Sequence, residues 1–141
     1  MPGERDLRTL LGSMEPVLRP GAFVFVVVPD DALLDALAPE ATIRESEGLT
    51  AVVRREHADA LGLPYDYIAA WITLRVHSAL DAVGLTAAVS TALADADISC
   101  NVIAGYHHDH LLVAATPTPQ PAVRAVDRGK PRQSFLSAGG E

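Results

Sequence analysis

Apolar positions follow two periods along this chain, and each period predicts an element. Ala22-Phe23-Val24-Phe25-Val26-Val27-Val28 runs unbroken between Gly21 and Pro29. So dense a stretch of β-branched and aromatic side chains predicts a buried strand. Asp30 and Asp31 follow with helix-capping carboxylates, and Leu33, Leu34 and Leu37 then fall at helical spacing until Pro39. Ala41 to Ser46 and Leu49 to Arg55 read as two strands joined at Glu47-Gly48, a hairpin turn in which glycine permits positive φ. His57 to Leu61 predicts a short helix that stops at Gly62.

The second half repeats the order. Tyr67 to Val76 is a strand, apolar through Ile68, Trp71, Ile72, Leu74 and Val76. Ala79 to Gly84 makes a turn. Leu85, Ala88, Val89, Ala92, Leu93 and Ala96 then form one continuous helical stripe. Ile98 to Ala104 alternates as a strand, Gly105 to Asp109 is a polar tip, and His110 to Ala115 returns. Strand, helix, strand, strand thus occurs twice. A helix and a further strand complete the first copy as βαββαβ, the split βαβ arrangement. The strand from Tyr67 closes that copy and opens the next. Two such ferredoxin-like units side by side predict an α+β fold, an antiparallel sheet with helices on one face. The expected division is an arm over 1–20, units over 21–66 and 67–116, and a flexible proline-rich tail over 117–141. In the arm, Arg8, Leu10, Leu11 and Met14 are expected to form a short apolar turn, or a helix, lying on the body. In the tail, only Val123 to Val126 has room for a turn of helix.

Composition narrows the function classes. Of 141 residues, 49% are hydrophobic but only 5% aromatic, so the core is aliphatic. A formal charge of -7 repels phosphate backbones, which argues against nucleic acid and anionic membranes as partners. Cys100 is the single cysteine, excluding an internal disulfide and any multi-cysteine zinc site. The apolar run ending at Pro29 is too short to span a bilayer, and Glu4 and Asp6 sit where a signal peptide needs an apolar core. A cytoplasmic location is the expectation. Walker-type and dinucleotide-type glycine loops are absent, and no cofactor is expected.

The turn from Ser78 to Thr86 is the leading ligand candidate. A strand running through Gly84 into a helix exposes backbone amides at Leu85 and Thr86, where a positive dipole end suits a carboxylate. Ser78 and Asp81 are placed to receive an ammonium or to fix the loop, and Asn101 on the neighbouring strand offers donors and acceptors. Ordinary capping by Ser78 and Asp81 is the plainer alternative. His107-His108-Asp109-His110 brings three imidazoles and a carboxylate together, with metal binding or a metal-dependent enzyme as the rival reading. On a strand, however, His108 and His110 share a face while His107 points away. A role in shaping the turn is preferred, and no residue is assigned as catalytic or metal-binding. Cys100 lies with Ile98 and Val102 and reads as a buried, inert thiol. Glu45, Glu47, Glu56 and Asp59 form a solvated face.

Three stretches carry a resemblance. They are Tyr-Asp-Tyr-Ile-Ala-Ala-Trp-Ile-Thr-Leu (65–74), Val-His-Ser-Ala-Leu-Asp-Ala-Val-Gly-Leu-Thr-Ala-Ala-Val-Ser (76–90) and Ile-Ser-Cys-Asn-Val-Ile-Ala-Gly-Tyr-His-His-Asp-His (98–110). With Arg44-Glu45-Ser46-Glu47-Gly48-Leu49-Thr50, they resemble the small bacterial proteins built from two ACT domains, over about three-quarters of the chain. That resemblance implies a regulatory module without catalytic activity, binding an amino acid or similar small ligand at the seam between units. The strand–helix loop is where such domains hold their ligands. It also implies relatives among the ACT pairs of aspartate kinases and of animal arginine sensors. A homodimer through exposed sheet edges is expected, with output to a protein partner whose identity the sequence leaves open; a ligand-free interaction module is the further alternative. Relatives usually follow the His-Asp-His strand with a regular helix. Here Pro117, Pro119 and Pro121 interrupt it, which implies a last helix shortened or supplied by a partner chain.

Overall fold

A computed structural model of the protein describes residues 14–75 and 84–128. Strands β1 (Glu15–Leu18), β2 (Phe23–Val28), β3 (Ala41–Glu45), β4 (Gly48–Arg54), β5 (Ile68–Arg75), β6 (Cys100–Ala104) and β7 (Asp109–Ala114) form one sheet. Helices α1 (Leu34–Leu37, after a 3-10 turn at Asp31–Leu33), α2 (Arg55–Ala60) and α3 (Leu85–Asp95) lie between them in sequence, and α4 (Gln120–Arg128) follows β7. The sheet order is β3-β4-β2-β5-β7-β6, every pairing is antiparallel, and β1 also pairs with β5.

β5 is the fourth strand of one βαββαβ unit and the first of the next. The first unit is β2, β3, β4 and β5; the second is β5, β6, β7 and β1. Both therefore read fourth, first, third, second across the sheet. The α+β class with helices on one face agrees with the hydrophobic pattern. The division at both chain ends does not. In place of an arm over 1–20, Glu15–Leu18 is the missing fourth strand of the second unit, and Met14 is buried in that unit's core. The expected turn over Arg8 to Leu11 lies outside the described residues. Pro16 fits β1 because the bond from Arg19 N–H to Trp71 C=O at 2.9 Å sets an alternation in which Pro16 points its nitrogen away from β5.

β1 and β2 are one strand with a two-residue bulge. Leu18 stands opposite Ile72 and Phe23 opposite Ala69, so five steps on one strand face three on the other. Gly21 takes φ +91° within this bulge. The tail likewise needs correcting. Residues 120–128 form a helix of this same chain, with Ala122, Ala125 and Val126 buried. Prolines 117 and 119 precede the helix, and Pro121 occupies its first turn, where no intrahelical N–H is needed.

The stripe on α3 buries Leu85, Val89 and Leu93 against Ile72, Leu74, Leu111 and Val113, with α4 and Met14 completing this core. In the first unit Leu37 and Ala58 cover Val24, Val26, Ala51 and Val53. The opposite face carries no helix among the described residues, yet Phe23 is fully buried and Trp71 nearly so. Arginines do the covering. The Arg19 guanidinium lies 4.9 Å from the Trp71 ring and 5.0 Å from that of Phe23, and Arg54 lies 5.0 Å over the same Phe23 ring. Long stems remove apolar surface from water while the charged ends stay wet.

Candidate functional site

The glycine before α3 behaves as its position in the sequence predicts. Gly84 is the N-cap with φ +99°, and no side chain among the described residues caps this end. Its carbonyl accepts from Ala88 N–H at 2.9 Å, closing the first turn. No acidic residue sits in that turn, Thr86 is exposed, and Leu85 is anchored in the core. Among the described residues, the first-turn amides of Leu85 and Thr86 thus stand at a positive helix end with no carboxylate beside it. The first unit's equivalent end differs. There Asp30 Oδ1 accepts from Ala32 N–H at 2.9 Å, and Asp31 adds a second carboxylate in the first turn. That end already holds its own anion.

Of the other candidates, Ser78 and Asp81 lie outside the described residues. Asn101 is exposed and stands opposite Leu112, whose side chain belongs to the helix-free face. Cross-strand partners share a face. Asn101 therefore points away from the side on which Gly84, Leu85 and Thr86 lie, and the expected convergence is not formed. The period-two pattern carried this information only once the register with β7 was known.

The histidine tip is divided between different jobs. His110 is on the helix-free face, where its Nδ1 accepts from Trp71 Nε1–H at 3.2 Å and lies 3.0 Å from Thr73 Oγ1. Because an indole nitrogen only donates, Nδ1 is the unprotonated nitrogen. Burial first, then His108, lowers the pKa of His110; Asp109 opposes this, and Arg19 adds a further lowering. The Asp109 carboxyl moves the other way, raised chiefly by burial and held back by His110 and His108. The His107 ring packs edge-on against Tyr106 at 5.1 Å. Among the described residues no group of three His, Cys, Asp or Glu side chains could hold a metal. Cys100 is half-buried against the α3 core, and burial raises its thiol pKa, as an unreactive thiol requires.

A line of cations and rings escaped notice in the sequence: Arg54, Phe23, Arg19, Trp71 and His110 cross the seam between units, with Arg19 also bound to Glu40 at 2.8 Å. Alternation marks Phe23, Trp71 and His110 as same-face positions. The arginines come from a bulge and a strand end, so nothing local announces them. Buried without a hydrogen-bond partner among the described residues, the Tyr67 hydroxyl has a raised pKa, from burial first and the Cys100 thiol second. No helix among the described residues is long and apolar enough to cross a membrane.

Similarity to known proteins bears on the same architecture. The chain resembles VC0802 from Vibrio cholerae, a protein of unknown function and possible transport protein, at 46% identity and TM-score 0.77, over 87% of this chain and 94% of that one. The regulatory subunit of aspartate kinase from Thermus flavus shares the fold at 14% identity and TM-score 0.59, over 82% of this chain and 96% of that one. The ligand-free regulatory subunit from Thermus thermophilus does so at 12% identity and TM-score 0.60, over 83% and 97%. No curated protein matches the chain. Models of the ACT domain match residues 2–70 and again 67–120, meeting within the strand the two units share. With two ACT units on one sheet, the chain belongs to the tandem ACT-domain proteins.

Proposed function

We propose that this protein is a non-catalytic regulatory module that binds one small amino-acid-type ligand per chain, at the N-terminal end of α3. ACT domains are typically regulatory modules for small molecules, and both units carry that fold. The observation behind the site is the difference between the two equivalent helix ends. Asp30 and Asp31 supply the first with carboxylate, while the second, which begins at Gly84, has no side-chain cap among the described residues. An α-carboxylate accepting from Leu85 and Thr86 N–H would do for α3 what Asp30 does for its own turn. Ser78 and Asp81, three to six residues before Gly84, are the candidates for the ammonium. Asn101 points to the other face and is dropped from the primary set.

Placing an acid inside the first turn tests this without endangering the fold. Thr86 is exposed, and Thr86→Asp would add about 0.3–1 kcal/mol through the helix dipole. Amino acids screened by thermal shift should stabilise the wild type selectively. A ligand at about 100 times its Kd adds about 2.7 kcal/mol, several degrees for a chain this size. Thr86→Asp should melt slightly higher alone and lose the response. A full response in Thr86→Asp would remove α3 as the site, and no response from wild type to any amino acid would remove the ligand class.

A further inference from the structure

The sharing of β5 between the two units is incomplete, and this leaves part of β2 without a strand partner on one side among the described residues. β2 pairs with β4 along its whole length but with β5 only at Phe23–Ala69 and Val24–Ile68. The bond from Arg55 N–H to Ala22 C=O at 3.0 Å fixes the alternation. Val24, Val26 and Val28 turn their N–H and C=O toward β4, and Phe23, Phe25 and Val27 turn theirs toward β5. Ahead of Ile68 the chain departs from the ladder through Pro64, Tyr65 and Asp66. The Val24–Ile68 pair is closed by Phe25 N–H facing Tyr67 C=O, so it is the Phe25 carbonyl and both backbone groups of Val27 that have no bond on that side to any described residue. An open groove of about 400 Å3 lies there, between Phe25, Val27 and Thr50 on one side and Pro64, Tyr65 and Asp66 on the other. Val27 is 65% exposed within it.

We propose that this free length of β2 is a docking site for an extended, basic peptide segment of a partner protein, which enters the groove as an added strand. The Phe25 carbonyl and the N–H and C=O of Val27 offer one donor and two acceptors at strand spacing, and such a row recruits another strand. Alternate side chains of the segment then meet the apolar surface of Phe25 and Val27. The charge is set by Asp66 on the groove wall and by Asp30 and Asp31, both exposed, just beyond Val28. Among the described residues no Lys or Arg lines the groove itself, and Arg55, which donates to the Tyr65 hydroxyl at 3.0 Å, is offset by Asp59 at 3.9 Å. A basic residue in the segment is therefore attracted and an acidic one repelled. The segment spans roughly three to four residues, the length of β2 left free. This site stands apart from the α3 end and does not depend on the ligand reading.

The probe is a panel of blocked pentapeptides alternating valine with lysine, with valine–glutamate versions and versions N-methylated at the central amides. Binding is read by fluorescence anisotropy and by amide exchange at Val27. Valine–lysine peptides should bind saturably and slow exchange at that amide. N-methylation, Val27→Pro (which removes the outward N–H together with the valine side chain) and Asp66→Lys should each weaken binding about tenfold or more, the last through charge alone at an exposed residue. Glutamate peptides should not bind. Thr86→Asp should bind the peptide as the wild type does, which separates this site from the small-molecule one. Should Val27→Pro fail to fold, the N-methyl and Asp66→Lys results decide. Unchanged amide exchange at millimolar peptide, or equal binding by the N-methylated form, overturns the proposal.

Discussion

His110 is the residue at which charge, packing and pH meet. Its Nδ1 must stay unprotonated to accept from Trp71, and burial, His108 and Arg19 all disfavour its cationic form. A folded pKa below the usual 6.5 means that the unfolded chain binds the proton more readily. Stability is full above pH 6.5 and declines as pH falls from there through the lowered value. Trp71 is the sole tryptophan, so its fluorescence during urea unfolding at several pH values reads this directly. His110→Gln should flatten the slope in that window; an unchanged slope would point to another group. Gly105 is a second residue-scale constraint. A Cβ there would stand 2.9 Å from the His108 carbonyl oxygen and 3.0 Å from His110 Nε2. Gly105→Ala should cost about 1–3 kcal/mol in denaturant unfolding, since the nearer atom is backbone and cannot swing away.

At the scale of elements, the sequence was legible wherever one period ran long enough. Phe23 to Val28 and Ile68 to Arg75 are strands as their runs require, and the Leu85–Leu93 stripe became α3 with its predicted face inward. β1 was not legible. Four residues, Glu-Pro-Val-Leu, show no alternation and include proline; they are a strand because β5, more than fifty residues later, offers an edge. α4 was hidden for the opposite reason. Three prolines suggested a tail, although two stand before the helix and one within its first turn, and three buried residues hold it to the core. Met14→Ala discriminates between a loose arm and a built-in strand. Met14 is 1% exposed among core side chains, so about 2–5 kcal/mol should be lost in chemical denaturation, whereas an arm residue would lose almost nothing.

For the molecule as a whole, the shared strand makes two domains into one cooperative body. Ile72 and Leu74 of β5 pack in the second core, Ile68 borders the first, and Ala69 and Trp71 lie in the cluster on the helix-free face. Neither unit has four strands once β5 is lost. Heating should therefore give a single transition, with Trp71 fluorescence and far-ultraviolet circular dichroism coinciding. Val53→Ala in the first core and Leu93→Ala in the second should lower that one midpoint rather than split it; two separated transitions would refute the coupling. The candidate site was legible only in part. Gly84 and the helix beginning at Leu85 followed from local punctuation, but the direction of Asn101 depended on its register with Leu112.

By itself the sequence determined the elements whose patterns are local: the apolar strands, the stripe of α3, the repeated strand-helix-strand-strand order and the glycine before the helix. These depend on periodicity and backbone preference within a few residues. Only the tertiary structure decided which strand completes the second unit, that α4 packs against it, which face each β6 side chain takes, and that β2 outruns its partner at Val24. Each of these depends on pairing across long sequence separations. There the free energy lies in surface and hydrogen bonds shared by two segments, and neither segment alone carries the signal.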